Sequence, residues 1–193
     1  MDALECIMTR RSNRKFTAQP IEQEKLEAII EAGRQAPCGG NSQSCHFIVI
    51  TNQDILAALA DLVQQQFAQW DLVEGMYKSM ANSVKFSKRG NYVFHYKAPA
   101  LIVVANKKDY GNSMADSACA TENMLLAANA MGLGACYINQ LNWLDGDEVI
   151  RSFMEDLGLE ADETMATAVS VGYVEPLIQK VAERTGNPVT WVK

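Results

Sequence analysis

Residues 113–132 read SMADSACATENMLLAANAMG, a helix-length run in which nearly every side chain is small or apolar. A helix with so little polar surface has to be covered on most sides, and its alanines let neighbouring elements approach closely. That places it inside a layered domain and demands other elements to enclose it. Four short runs supply them: HFIVIT (46–51), PALIVVAN (99–106), GACYI (134–138) and TMATAVSVGY (164–173), each read as a buried strand. Helices are expected over Asp2 to about Thr9, over PIEQEKLEAIIEAG (20–33), from about Gln53 to Trp70, and over DGDEVIRSFMEDLG (145–158). In the second of these Pro20 suits a first turn, Leu26, Ile29, Ile30 and Gly33 share a face, and Gly33 is a plausible stop. Alternating strands and helices imply an α/β or α+β three-layer fold, and 193 residues suit one domain over 1–193. Residues 71–97 show no clean period and read as a helical or irregular excursion. The tail from about 174 to 193 ends in a strand-like VTWV and is long enough to reach a partner subunit.

Charge and cysteine usage narrow the function. Asp and Glu total 23 against 17 Lys and Arg, a net charge of -6, which opposes general nucleic-acid binding because that requires cations to displace counterions. No apolar run approaches the length of a membrane span, and MDALECIMTRRS lacks the apolar core of a signal peptide. The 5 cysteines form no C-x-x-C pair, which suggests free thiols in a reducing cytoplasm, and with 2 histidines a metal centre is not expected.

Against this acidic background RRSNRKF (10–16) concentrates Arg10, Arg11 and Arg14 around Ser12. Guanidinium groups contact phosphate through planar, paired hydrogen bonds, and a serine hydroxyl adds a short donor. On its own the segment is either a solvated basic turn or an anion site. The loop APCGGNSQ (36–43) offers the amides of Asn41 and Gln43, whose donor and acceptor sides suit the edge of a heterocycle. MGLGACYINQ (131–140) contains G-x-G, but between a helix and a strand. A dinucleotide-binding turn needs strand then helix, so these glycines leave Asn139 and Gln140 at a strand exit instead.

Taken in order, RRSxRxF, APxxxNxQ before a strand, a small-residue helix, GLGACYI and VGY resemble the FMN-dependent nitroreductase family, from Arg10 to about Arg184. The resemblance implies an α+β fold, three-layered α/β/α, with a mostly antiparallel central sheet and an intertwined homodimer holding FMN at its interface. It implies Arg10 and Ser12 on the FMN phosphate with Arg11 nearby, and Arg14 at the pyrimidine end of the flavin. Asn41 would meet the pyrimidine edge with Gln43 close by, and backbone amides near Asn139 and Gln140 would face N5. Lys180 and Arg184 would return from the tail to the phosphate. The chemistry would be the flavin's, with no catalytic side chain. NADH or NADPH would give a hydride, and a nitroaromatic, quinone or similar small molecule would accept electrons in a ping-pong cycle. The alternative is a protein that stores or senses FMN with little turnover. Cys38 stands where serine is common, Ser44-Cys45 replaces Pro-Trp, and Asn139-Gln140 replace small or acidic residues. Cys38 is either a reactive thiol or a small loop residue, and the 71–97 excursion is either helix packing or a lid over the substrate.

Overall fold

The computed structural model describes residues 2–177, 181 and 183–193. Its centre is β2 (Ala100–Lys107), a run buried along nearly its whole length. Such continuous apolar sequence arises where a strand is covered on both faces. Here the strand is flanked on both sides by antiparallel partners. The sheet order is β1 (His46–Ile50), β2, β4 (Glu163–Gly172), β3 (Gly134–Ile138), every neighbour antiparallel.

Alternation along β2 divides the core. Leu101, Val103 and Ala105 face α3 (Gln53–Ala68), α4 (Lys78–Lys88) and α7 (Glu148–Asp156), joining Leu56, Leu59, Val63, Phe67, Val84, Ile150 and Met154. Ile102 and Val104 face α2 (Gln23–Arg34) and α5 (Ser113–Ala130), joining Ile29, Met124, Leu125 and Ala128. Each large apolar side chain removed from water on either face contributes about 1.5–3 kcal/mol. A register shift opposite Val104/Ala105 inserts an extra β4 residue. As a result Met165 and Ala168 point to the first face while Val169 and Val171 point to the second. The architecture is α+β in three layers.

The expected strands and helices are all present within a few residues of their expected bounds, and α1 (Ala3–Thr9) opens on Asp2, whose carboxylate accepts the Glu5 N–H at 2.8 Å. Two details differ. Gly33 does not stop α2, which runs on to Arg34. A Cβ at that position would lie 3.0 Å from both Met124 and Phe47, so the glycine serves the close approach of α2 to α5. The tail residues of VTWV form no strand, and Trp191 is 82% exposed. As expected, α5 is covered on most sides: it buries Ser113, Asp116, Ser117, Ala120, Thr121, Met124, Leu125, Ala128 and Asn129, and only Met114, Ala115, Cys119 and Ala130 are exposed. The 71–97 excursion contains α4 and packs through aromatic edges. Phe67 meets Tyr92 at 6.4 Å and Trp143 at 6.4 Å, and Tyr77 meets Trp143 at 6.1 Å.

Candidate functional site

The basic segment is laid directly against β3. Ser12 bridges Ala135 in parallel, the Asn13 N–H donates to the Ala135 carbonyl at 2.8 Å, and Thr17 N–H donates to Tyr173 at 2.8 Å. Gly134 permits this approach, because a Cβ there would fall 2.5 Å from Val174 and 3.0 Å from the Asn13 Cβ. Two sequence motifs far apart in the chain, RRSNRKF and GACYINQ, thereby become neighbours.

Within that segment each cation has a distinct setting. Arg10 Nε donates to Glu122 of α5 at 3.0 Å. Arg11 Nη1 donates to the Met8 and Arg10 carbonyls at 3.2 and 2.6 Å, and its Nη2 is buried without a partner. Ser12 and Arg14 are exposed. Arg14 Nε donates to the Tyr96 hydroxyl at 3.3 Å, and its guanidinium carbon lies 5.7 Å from the Tyr96 ring centre. Arg10, Ser12 and Arg14 converge on the buried thiol of Cys136. Burial pushes that thiol up from its ordinary value, and the two guanidiniums and the Ser12 side chain only partly offset it. The thiol is therefore an uncharged floor beneath a cationic surface.

At the far end of β3, Asn139 and the buried Gln140 begin the short α6 (Gln140–Trp143). The Gln140 side chain turns inward. Its Oε1 accepts the Asn139 N–H at 3.2 Å, and its Nε2 donates to the Tyr92 hydroxyl at 2.7 Å. Tyr92 also contacts Ser83 at 2.8 Å, and burial pushes its pKa up to about 12, so the hydroxyl stays protonated. Gln140 thus borders the site with its backbone, while its amide is committed to the interior.

The APCGGNSQ loop is organised by a residue that motif reading passed over. The buried Asp116 carboxylate accepts the Gly39 N–H at 3.2 and 3.1 Å, the Tyr110 hydroxyl at 2.9 Å and the Ser42 hydroxyl at 3.4 Å. A Cβ on Gly39 would strike Asn112 at 2.2 Å and Tyr110 at 2.5 Å. The loop then carries Gly40, Asn41 and Gln43 at φ of 59°, 56° and 49°. Two non-glycine residues in the left-handed region cost about 1–3 kcal/mol each and persist only where surroundings enforce them. Here the enforcement exposes the Asn41 and Gln43 side chains. Cys38 accepts the Gln43 N–H on sulfur at 3.4 Å across the turn.

The two groups of candidate residues are anchored to one helix. Asp116 fixes the amide loop and Glu122 engages Arg10, six residues or about 9 Å further along α5. These two acids interrupt an otherwise small and apolar helix, and that interruption was the available signal for both. Arg184 is exposed on the tail, and Lys180 lies outside the described residues. Of the histidines, His46 opens β1 three residues after Gln43 and pairs with the buried Glu163 at 2.9 Å beside Lys107, and His95 is buried next to Phe94.

A sequence profile described as the nitroreductase family matches residues 7–173. Among solved structures, a Bacteroides fragilis nitroreductase with bound FMN is 31% identical, with a TM-score of 0.89 and full coverage of both chains. A Desulfitobacterium hafniense nitroreductase, also with bound FMN, shares the fold at a TM-score of 0.79 and 23% identity, covering 98% of this chain and 97% of that one. The NADPH-flavin oxidoreductase of Vibrio harveyi is 29% identical over 72% of this chain and 54% of its own length. This chain belongs to the nitroreductase family.

Proposed function

We propose that the protein is an FMN-dependent oxidoreductase that takes hydride from NADH or NADPH and reduces a nitroaromatic, quinone or similar small molecule in a ping-pong cycle. The observation that carries this reading is the pairing of Ser12 with Ala135, which lines RRSNRKF along β3 and so sets Arg10, Ser12 and Arg14 beside the strand that leads into Asn139. The donor set suits the ligand: guanidinium and hydroxyl donors for a dianionic phosphate, and amides in Asn41 and Gln43 for a ring edge with alternating acceptors and donors.

When bound, FMN would supply the hydride-accepting and electron-donating chemistry. The chain's own residues do the rest. Arg10 and Ser12 would hold the phosphate with Arg11 nearby, and Arg184 and Lys180 would return to it from the tail. Arg14 would place positive charge at the pyrimidine end of the ring, where a cation favours negative charge. The backbone at Asn139 and Gln140 would border the reacting face, and Asn41 with Gln43 would fix the ring edge.

The working form in this reading is a homodimer. Leu4, Ile7 and Met8 form one exposed apolar face of α1, Leu4 being 75% exposed, and Met114 with Cys119 leaves one flank of α5 open. A second chain would cover these surfaces, and the extension from about 174 to 193 would reach it. All 5 cysteines are free, which suits a reducing cytoplasm. Arg10→Ala or Ser12→Ala should lower FMN retention with the fold intact. Variants that purify with a full complement of FMN contradict the phosphate assignment. Storage without turnover is separated by mixing the FMN-loaded protein with NADH and with NADPH, since a store would leave the flavin oxidised.

A further inference from the structure

The excursion at 71–97 touches the candidate site twice, at opposite ends of it. Tyr96 reaches Arg14 through its hydroxyl at 3.3 Å and lies under the guanidinium. Tyr92 reaches Gln140 at 2.7 Å, and Gln140 in turn holds the Asn139 N–H. The second contact is a chain of hydrogen bonds. Asn139 N–H donates to Gln140 Oε1, Gln140 Nε2 donates to Tyr92, the Tyr92 and Ser83 hydroxyls share a hydrogen bond at 2.8 Å, and Ser83 donates to the Ser79 carbonyl at 3.2 Å. Tyr92 is itself tied to α3, its N–H donating to Gln64 at 2.7 Å.

The backbone between these contacts is unusual. Tyr96 and Lys97 both sit at φ of 57°, consecutive left-handed residues without a glycine. Neither side chain favours that conformation, so the strain has to be enforced by what lies around it. On one side Phe94 and Ala98 are fully buried, which pins the chain before and after. Between these pins, the strained pair turns the Tyr96 ring out toward Arg14.

We infer that Tyr92 and Tyr96 are positioning residues through which the 71–97 excursion sets the two ends of the ring site: Tyr96 fixes the Arg14 guanidinium, and Tyr92 fixes the Gln140 amide and with it the Asn139 peptide. This rests on the FMN reading above and adds a role for a segment that could equally have been mere packing. A buried tyrosine network of this kind restricts Gln140 to one orientation, because its amide has a donor on one side and an acceptor on the other. Differences within such an excursion would then alter the flavin's electrostatics without any change in the residues that touch it.

The test uses the FMN-loaded protein and its apo form, with Tyr92→Phe, Tyr96→Phe, Arg14→Ala and Tyr96→Phe/Arg14→Ala. FMN affinity is read by fluorescence titration of the apo form, and the flavin midpoint potential by equilibrium reduction against a dye. Tyr96→Phe should weaken FMN binding about threefold to tenfold, the span of one ordinary hydrogen bond, because the contact is exposed to water. The double variant should bind no more weakly than Arg14→Ala alone, because the hydroxyl acts through the arginine. Tyr92→Phe should shift the midpoint potential and lower kcat for NADH oxidation with KM little changed. Gln140→Met is the second variant for that arm and should produce the same shift. Additive losses in the Tyr96–Arg14 pair, or wild-type potentials in both Tyr92→Phe and Gln140→Met, overturn the inference while FMN binding by the wild type stands. A wild-type protein that takes up no FMN overturns both readings together.

Discussion

Asp116 holds Gly39 from within, its two carboxylate oxygens 3.2 and 3.1 Å from the Gly39 N–H, at a point where any side chain on residue 39 would collide with Asn112 and Tyr110. The turn that presents Asn41 and Gln43 therefore depends on a residue more than seventy positions away in sequence. Asp116→Ala strips a buried acceptor from Gly39 N–H and the Tyr110 hydroxyl. Leaving such donors unsatisfied costs about 1–3 kcal/mol, and each kcal/mol lowers Tm by about 2–4 °C in a chain of this size. Calorimetry should show that drop, and FMN titration should show a loss of affinity larger than Arg34→Ala, an exposed change on the neighbouring helix end, produces. Equal FMN affinities would detach the loop from the ligand.

Gly134→Ala tests the seam between RRSNRKF and β3. The added Cβ meets the Val174 methyls at 2.5 and 2.9 Å and the Asn13 Cβ at 3.0 Å, so Val174 has to turn and Asn13 can yield only by moving its backbone. Overpacking of this sort costs about 1–3 kcal/mol. The expected result is a lower urea midpoint together with faster FMN loss, since the strain displaces Ser12 as well as the strand. Gly146→Ala, where a Cβ meets nothing within 4 Å, is the control and should change neither.

Much of this architecture was legible because it rests on local pattern. The runs at 46–51, 99–106, 134–138 and 164–173 are strands because β-branched apolar residues suit a covered sheet, and the expected bounds fall within a residue or so of β1–β4. The order of strands was not legible from pattern alone, since adjacency in a sheet is decided by which faces meet. The glycine at 33 was misread for a related reason: a glycine near a helix end looks like a stop, and only the position of Met124 shows it to be a contact. In the site, Arg10, Ser12 and Arg14 could be named from RRSNRKF, because cations in an acidic chain stand out. Asp116, Glu122, Tyr92 and Tyr96 could not be given roles, because each works through a partner distant in sequence. VTWV has strand-forming composition but no paired neighbour within the chain, and it stays exposed.

Acid should weaken the fold in two steps. Burial lowers the pKa of His95, so the folded state resists its protonation while the unfolded chain accepts a proton near the ordinary value of 6.5. Stability from His95 is complete above about pH 6.5 and falls as pH drops through the folded value. Glu163 is pushed up by burial, but the His46 hydrogen bond, the Glu160 N–H and Lys107 outweigh this and leave its pKa below the ordinary 4.5. Its contribution is complete above about pH 4.5 and is lost on further acidification. Urea midpoints measured from pH 8 to pH 4 should show the first decline below about pH 6.5, and His95→Gln should flatten that step while leaving the lower one. A midpoint independent of pH between about 8 and 5 would contradict the burial of His95.

The exposed face of α1 predicts its own effect. Ile7→Glu places charge on the Leu4–Met8 surface without touching the core of a single chain, because Ile7 is 51% exposed. Sedimentation should show wild type as a dimer and the variant shifted toward monomer, with FMN lost in proportion. A wild type that sediments as a monomer while retaining FMN would contradict a site shared between two chains.

The central claim is tested most directly by the visible absorbance of the purified protein before and after anaerobic addition of NADH or NADPH. The account predicts a bound flavin spectrum that bleaches with at least one of the two and returns when a quinone is added. A colourless protein that takes up no added FMN, or a flavin spectrum unchanged by both nicotinamides, would contradict it.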